Sequence, residues 1–153
     1  MRFIAHRGNI NGINVESENT IEYIISAINQ GFDVEIDVRY KSNVFYLGHD
    51  ESKNVINLSF LRQHSNFLWC HAKDIYTLNE LLKYRDINCF FHQNDDCTLT
   101  SCQQIWTHVN FDKSLTERTI LLKFAKDENF TVPENIFGIC SDNVKYYKNK
   151  RNG

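Results

Sequence analysis

The chain opens on a short apolar run, Phe3-Ile4-Ala5, which breaks off at His6-Arg7-Gly8. A run of that length closed by a glycine turn predicts a buried strand that delivers polar groups at its C-terminal end. Further on, Ile21, Ile24, Ile25 and Ile28 stand at i, i+3, i+4 and i+7. They predict a helix with one apolar face, preceded by Glu18-Asn19-Thr20 and stopped by Gly31. Over 32–40 the period falls to two: Val34, Ile36 and Val38 alternate with Asp33, Glu35, Asp37 and Arg39. A second strand therefore carries its acids on one face. A polar turn at Lys41-Ser42-Asn43 and the run 44–47 predict a hairpin that returns His49 and Asp50 toward the same end.

Another apolar run, 67–74, puts His71 and Lys73 on one face of a third strand. Short helices are predicted over 57–64 and 77–84, and a further strand over 87–93. Beyond Gln93 the pattern weakens. Segment 95–101 reads as turn, whereas 104–109, 119–124 and 135–142 read as strands with little room for helices between them. The tail, 145–153, is expected to fray. No internal repeat interrupts this order. Alternating strands and helices with polar strand ends imply a parallel α/β fold whose site lies at the C-terminal ends of the strands.

Composition narrows the picture. With 153 residues, one domain over 1–153 is expected. Hydrophobic residues make up 42% and charged residues 24%, enough apolar content for a packed core. A net charge of −2 argues against duplex nucleic acid as a partner. No run approaches the ~20 apolar residues of a membrane span, and no signal peptide is evident, so a cytoplasmic protein is expected. Five cysteines without a CxxC pair read as reduced and packed.

Candidate chemistry sits at the strand ends. Glu35 and Asp37 on one strand face offer hard oxygen ligands to a divalent cation. Arg7 can fork onto phosphate oxygens. Taken together, the His6-Arg7-Gly8 turn, Glu18-Asn19-Thr20, the Glu35-Ile36-Asp37 triplet, Gly48-His49-Asp50 and Lys73 resemble the glycerophosphodiester phosphodiesterase family in order and approximate spacing. The match is densest from Ile4 to Asp50, about a third of the chain. The resemblance implies an abbreviated TIM-type (β/α) barrel with reduced helices in its C-terminal half. It also implies hydrolysis of a small phosphodiester with one divalent cation, Mg²⁺, Mn²⁺ or Ca²⁺. On that reading His6 and His49 divide the acid and base roles, Arg7 and Lys73 meet the phosphate, and Glu35 and Asp37 hold the metal. Glu18 and Asn19 are expected only to cap a helix and brace the preceding turn.

The chain departs from the family where a strand usually ends in E-x-K. Here it reads His71-Ala72-Lys73, which makes His71 a candidate third metal ligand and favours Mn²⁺ or another transition ion. Two alternatives stay open: a phospholipase-like lyase acting on a lipid headgroup, and a binding module that holds a phosphorylated ligand without turning it over. A zinc site from His92, Cys97, Cys102 and His108 competes, although its spacing is loose; His92 with Asp95 or Asp96 suits a pocket better. Trp69 and Trp106 read as core. Sparse helices in the C-terminal half would leave apolar strand faces bare, so a homodimer is expected.

Overall fold

The computed structural model describes residues 1–109, 111 and 113–153. The first strand, β1 (Arg2–His6), leads through a long loop to helix α1 (Ile21–Asn29) and then to the nine-residue strand β2 (Asp33–Lys41). Thr20 starts α1 by accepting a hydrogen bond from the Tyr23 amide at 3.3 Å. After β2 come β3 (Val44–Leu47), β4 (Asn54–Ile56), α2 (Leu58–Gln63), β5 (Leu68–Ala72) and α3 (Ile75–Leu81). Helix α3 begins two residues earlier than its apolar pattern suggests, because Asp74 caps it through the Thr77 amide at 2.6 Å. The rest is β6 (Cys89–Phe90), β7 (Cys97–Leu99), β8 (Ile105–Thr107), β9 (Thr119–Leu122), β10 (Gly138–Ser141) and α4 (Val144–Asn152).

These strands form one mixed sheet. β5 and β6 follow β2 on one side; β1, β10, β9 and β8 follow it on the other, and every neighbouring pair in that series is parallel. The length of β2 follows from two partners that overlap at Val38, β5 on one edge and β3 on the edge that β2 shares with β1. Val34 to Val38 pair in parallel with β5, and Val38 to Lys41 pair antiparallel with β3. β4 extends that hairpin, and β7 runs antiparallel to β8.

The period of two then sorts side chains onto two faces. One face sends Ala5, Val34, Ile36, Val38, Leu68, Cys70 and Ala72 against Ile24 and Ala27 of α1 and Leu61 of α2. The other gathers Ile4, Trp69, Phe90, Trp106, Ile120, Leu122 and Cys140 into a second cluster. Trp69 and Trp106 are core residues, as expected. Two positions along from members of this second cluster stand His6, His71, His92, His108, Phe124 and Asp142. This second face is thus apolar at one end and carries the candidate chemistry at the other.

Two expectations fail beyond Gln93. Segment 95–101 contains β7 rather than only a turn, and the tail expected to fray is α4, with Tyr147 fully buried. The tail is ordered by packing: Tyr147 meets Val132, Ile139 and Phe130, and its hydroxyl donates to the Ala125 carbonyl at 2.5 Å. This helix also covers a strand face that was expected to be bare, leaving Ile139 of β10 at 0% exposure. Among the described residues no helix is long and apolar enough to cross a membrane.

Candidate active site

Parallel register brings the candidate residues together. His6 of β1 lies opposite Glu35 of β2, and Asp37 lies opposite His71 of β5. His6, Arg7, Glu35, His49, His71 and Lys73 all line one cavity of about 550 Å³. Asp37, 1% exposed, lies beneath it.

Asp37 is the hub of the cluster. Lys73 Nζ stands 3.0 Å from its Oδ1, and Arg7 Nε stands 2.9 Å from its Oδ2. The Asn19 side chain clamps it twice, donating to Oδ2 at 3.0 Å and accepting from the Asp37 amide at 3.0 Å. Burial alone would raise the Asp37 carboxyl, but the positive neighbours His71, Lys73 and Arg7 outweigh it and hold the group well below the usual carboxylate range. Its Oδ1 is nevertheless buried without an aligned hydrogen-bond donor.

That oxygen has further company suited to a cation. His71 Nδ1 lies 3.4 Å from Asp37 Oδ1 and 3.6 Å from Glu35 Oε1. One ligand atom from each of Glu35, Asp37 and His71 falls within 4.8 Å of the other two. Two carboxylates and an imidazole fit a divalent ion, with a transition ion tolerating the nitrogen best. Two positive groups compete for the same acids. Lys73 rests on Asp37, and His71 is held protonated above its ordinary value, because Asp37 and Glu35 outweigh the burial that would lower it. Ligation at Nδ1 would require the loss of that proton.

His6 is oriented by a residue the sequence pattern left without a role. Its Nδ1 lies 2.7 Å from Asp142 Oδ1, and its Nε2 lies 3.8 Å from Glu35 Oε2. Burial would lower the His6 pKa, but the hydrogen bond to Asp142 and the charge of Glu35 raise it. Asn9 ties this side of the site together by donating to both Asp142 at 2.8 Å and Glu18 at 2.7 Å. Glu18 in turn holds Arg7 Nη1 at 3.2 Å. Arg7 and Asn19 both adopt left-handed backbone angles, with φ of 52° and 57°. Glu18 and Asn19 thus do more than brace a turn: they set the positions of Arg7 and Asp37, while Thr20 supplies the cap. The signal for Asp142 is the period of two from Cys140, as it is for His6 from Ile4.

His49 sits apart from the buried cluster. It follows β3 at the cavity mouth, with its side chain 44% exposed and Nδ1 paired to the exposed Asp50 at 2.8 Å. Its loop is fixed from behind by Arg39, whose guanidinium donates to the Gly48 and His49 carbonyls at 3.1 and 2.5 Å. Gly48 has φ 148°, and a Cβ there would overlap the Glu51 carbonyl.

Among the described residues His92, Cys97, Cys102 and His108 do not converge as a zinc site. Cys97 is exposed and Cys102 pairs with Thr100. His92 instead lines the cavity, stacked on His71 with ring centroids 4.8 Å apart. Burial, with His71 and His108 nearby, lowers its pKa to about 4. Of the acids expected beside it, Asp96 is exposed and paired with Lys113, and neither Asp95 nor Asp96 lines the cavity. Compared with protein-family models, with curated proteins and with solved structures, the chain matches none.

Proposed function

We propose that the protein is a divalent-metal-dependent phosphodiesterase, similar in chemistry to the glycerophosphodiester phosphodiesterases. The observation that carries this reading is the meeting of Glu35, Asp37 and His71 beneath a cavity that His6, Arg7 and Lys73 also line. A phosphodiester is anionic and has a poor alkoxide leaving group. Its cleavage calls for charge neutralisation, a base for the nucleophile and an acid for the leaving oxygen.

The residues divide those tasks. Glu35, Asp37 and His71 would hold a cation whose charge draws electron density from the phosphoryl oxygens. Arg7 and Lys73 add positive charge at the same place and fix the phosphate relative to His6. Asp142 keeps the His6 Nδ1 proton engaged, so that Nε2 is the atom that exchanges a proton with the nucleophile or the leaving oxygen. His49, at the mouth, does the opposite: it gives a proton to the leaving oxygen where His6 takes one from the nucleophile, or takes it where His6 gives, and exchanges with solvent between turnovers.

We also infer that the parallel strands curl into an abbreviated barrel. Supporting this, Phe90 of β6 and Trp106 of β8, from the two ends of the parallel series, stack with centroids 4.3 Å apart. Ser101 bridges the same gap, its amide donating to the Cys89 carbonyl at 2.8 Å.

The deciding experiment is a screen of Mg²⁺, Mn²⁺ and Ca²⁺ against glycerophosphodiesters, nucleotide diesters and lysophospholipids. Product analysis separates hydrolysis from cyclisation by internal attack. The proposal requires turnover that a chelator abolishes; absence of turnover with every metal and diester would refute it and leave a binding role.

A further inference from the structure

We propose that the side of this cavity built by β6, β8 and β9 binds a flat heteroaromatic substituent of the phosphodiester, a nucleobase being the simplest, and so selects the substrate. The inference rests on the phosphodiesterase reading for the placement of the phosphate, since the ring must lie beside Arg7, Lys73 and His6.

Size comes first. About 550 Å³ lies within the ~300–1,000 Å³ range of cavities that enclose drug-sized ligands, and a glycerophosphate fills only part of it. The lining away from the acids is aromatic: Phe91, His92, Trp106, His108 and Phe124. A stack of four rings backs it, with Trp106, His71 and His92 reaching the lining and Phe90 buried between Trp106 and His71. Trp106 stacks on Phe90, Phe90 on His71 with 9° between planes, and His71 on His92 with 3°. Phe124 lies against His6, with centroids 4.6 Å apart, so the aromatic wall reaches the reacting histidine. A planar π-face packs well on such a surface.

The polar groups in this wall separate a heteroaromatic ring from an alkyl chain. Nδ1 of His92 is buried without a partner, and among the described residues nothing holds its Nε2 either. His108 Nδ1 lies 3.1 Å from the Val109 carbonyl, which can only accept; the ring proton therefore sits on Nδ1 and leaves Nε2 free to accept. An alkyl chain would strip water from these nitrogens and return nothing. A nucleobase edge carries both donors and acceptors and meets them in either tautomer.

The test is calorimetric binding of adenosine 5′-monophosphate, glycerol 3-phosphate and octyl phosphate to the full chain, with and without Mg²⁺. The nucleotide should bind at least about tenfold tighter than either other probe, the scale set by one stacked base. Saturation-transfer NMR should find its base protons in contact with protein. In His92→Leu the nucleotide should lose that advantage while glycerol 3-phosphate shifts by less than about twofold. His92→Phe, which keeps the stack on His71, should lose only part of it. Tighter binding of octyl phosphate, equal binding of all three, or no binding overturns the inference. Hydrolysis of diesters without ring preference would sink it and leave the phosphodiesterase reading standing. Ring-selective binding without turnover would do the reverse.

Discussion

At the scale of single residues, the charges in the site set opposite proton preferences within a few ångströms. His6 and His71 face carboxylates and hold their protons above the ordinary value, whereas His92, buried against two other imidazoles, stays neutral down to about 4. Imidazole ¹⁵N shifts of the metal-free protein should show this order, and a His92 that titrates near 6.5 would contradict the packing described. The sign for stability follows. The His92 contribution is complete above 6.5 and is lost as pH falls toward 4, while those of His6 and His71 are complete below 6.5 and fade as pH rises through their raised values. His92→Phe should therefore lose less stability than the wild type between pH 6.5 and 4 in urea titrations.

For turnover, His6→Ala and His49→Ala should each fold and lose ~10²–10⁴-fold in rate. A near-normal rate in His49→Ala would leave His6 as the sole proton carrier, an outcome its exposed position makes worth measuring. His71 decides the metal. If its Nδ1 is a ligand, Mn²⁺ should support turnover better than Mg²⁺ and far better than Ca²⁺, and His71→Glu should shift the ranking back toward Mg²⁺ and Ca²⁺. The same ranking in both proteins, each saturated with metal, would remove His71 from the ligand set.

At the scale of elements, legibility followed the number of apolar residues that repeat with a period. β2 alternates over its whole length and α1 spaces four isoleucines on one face, so both were readable, and with them Glu35, Asp37 and the strand-end groups His6 and His71. Helix α4 was not, because only Val144 and Tyr147 of its nine residues are buried and the remainder are lysines, asparagines and other partly exposed groups. Its order comes from one aromatic side chain reaching a distant carbonyl, which no local pattern records. Asn19 escaped for a related reason: its clamp on Asp37 joins residues 18 positions apart. Removing the long-range contact exposes this dependence. Tyr147→Ala should destabilise the fold by ~3–5 kcal/mol, as for other large buried aromatics, and detach α4. Tyr147→Phe should cost only ~0.5–1.5 kcal/mol for the lost hydrogen bond. Denaturant midpoints check both, and equal midpoints for wild type and Tyr147→Ala would return the tail to the frayed state its sequence suggests.

At the scale of the whole molecule, β6 is tied to the β7–β8 turn by Ser101, through its amide and its hydroxyl. Among the described residues no strand ladder is formed between β6 and β8, and Ser101 spans the gap. Its Oγ accepts from the Cys89 amide at 2.9 Å and donates to the Ile87 carbonyl at 3.2 Å; Thr98 Oγ1 donates to the Phe91 carbonyl at 2.9 Å. This junction matters to the site because Phe90 carries the stack on which His71 and His92 rest. Ser101→Ala removes both Oγ bonds, at ~0.5–1.5 kcal/mol each, without touching the cavity. Two effects should appear together in hydrogen exchange and metal titration. The Cys89 amide should exchange faster than those of β1, β2 and β10, which keep parallel partners on both sides. Metal affinity should weaken as well, since His71 loses the firm backing of Phe90 while Glu35 and Asp37 stay in place. Faster exchange with unchanged metal affinity would show that the site is held by β2 and its neighbours alone. Unchanged exchange at Cys89 would show that the junction is closed by the Phe90–Trp106 stack, and that the serine only decorates it.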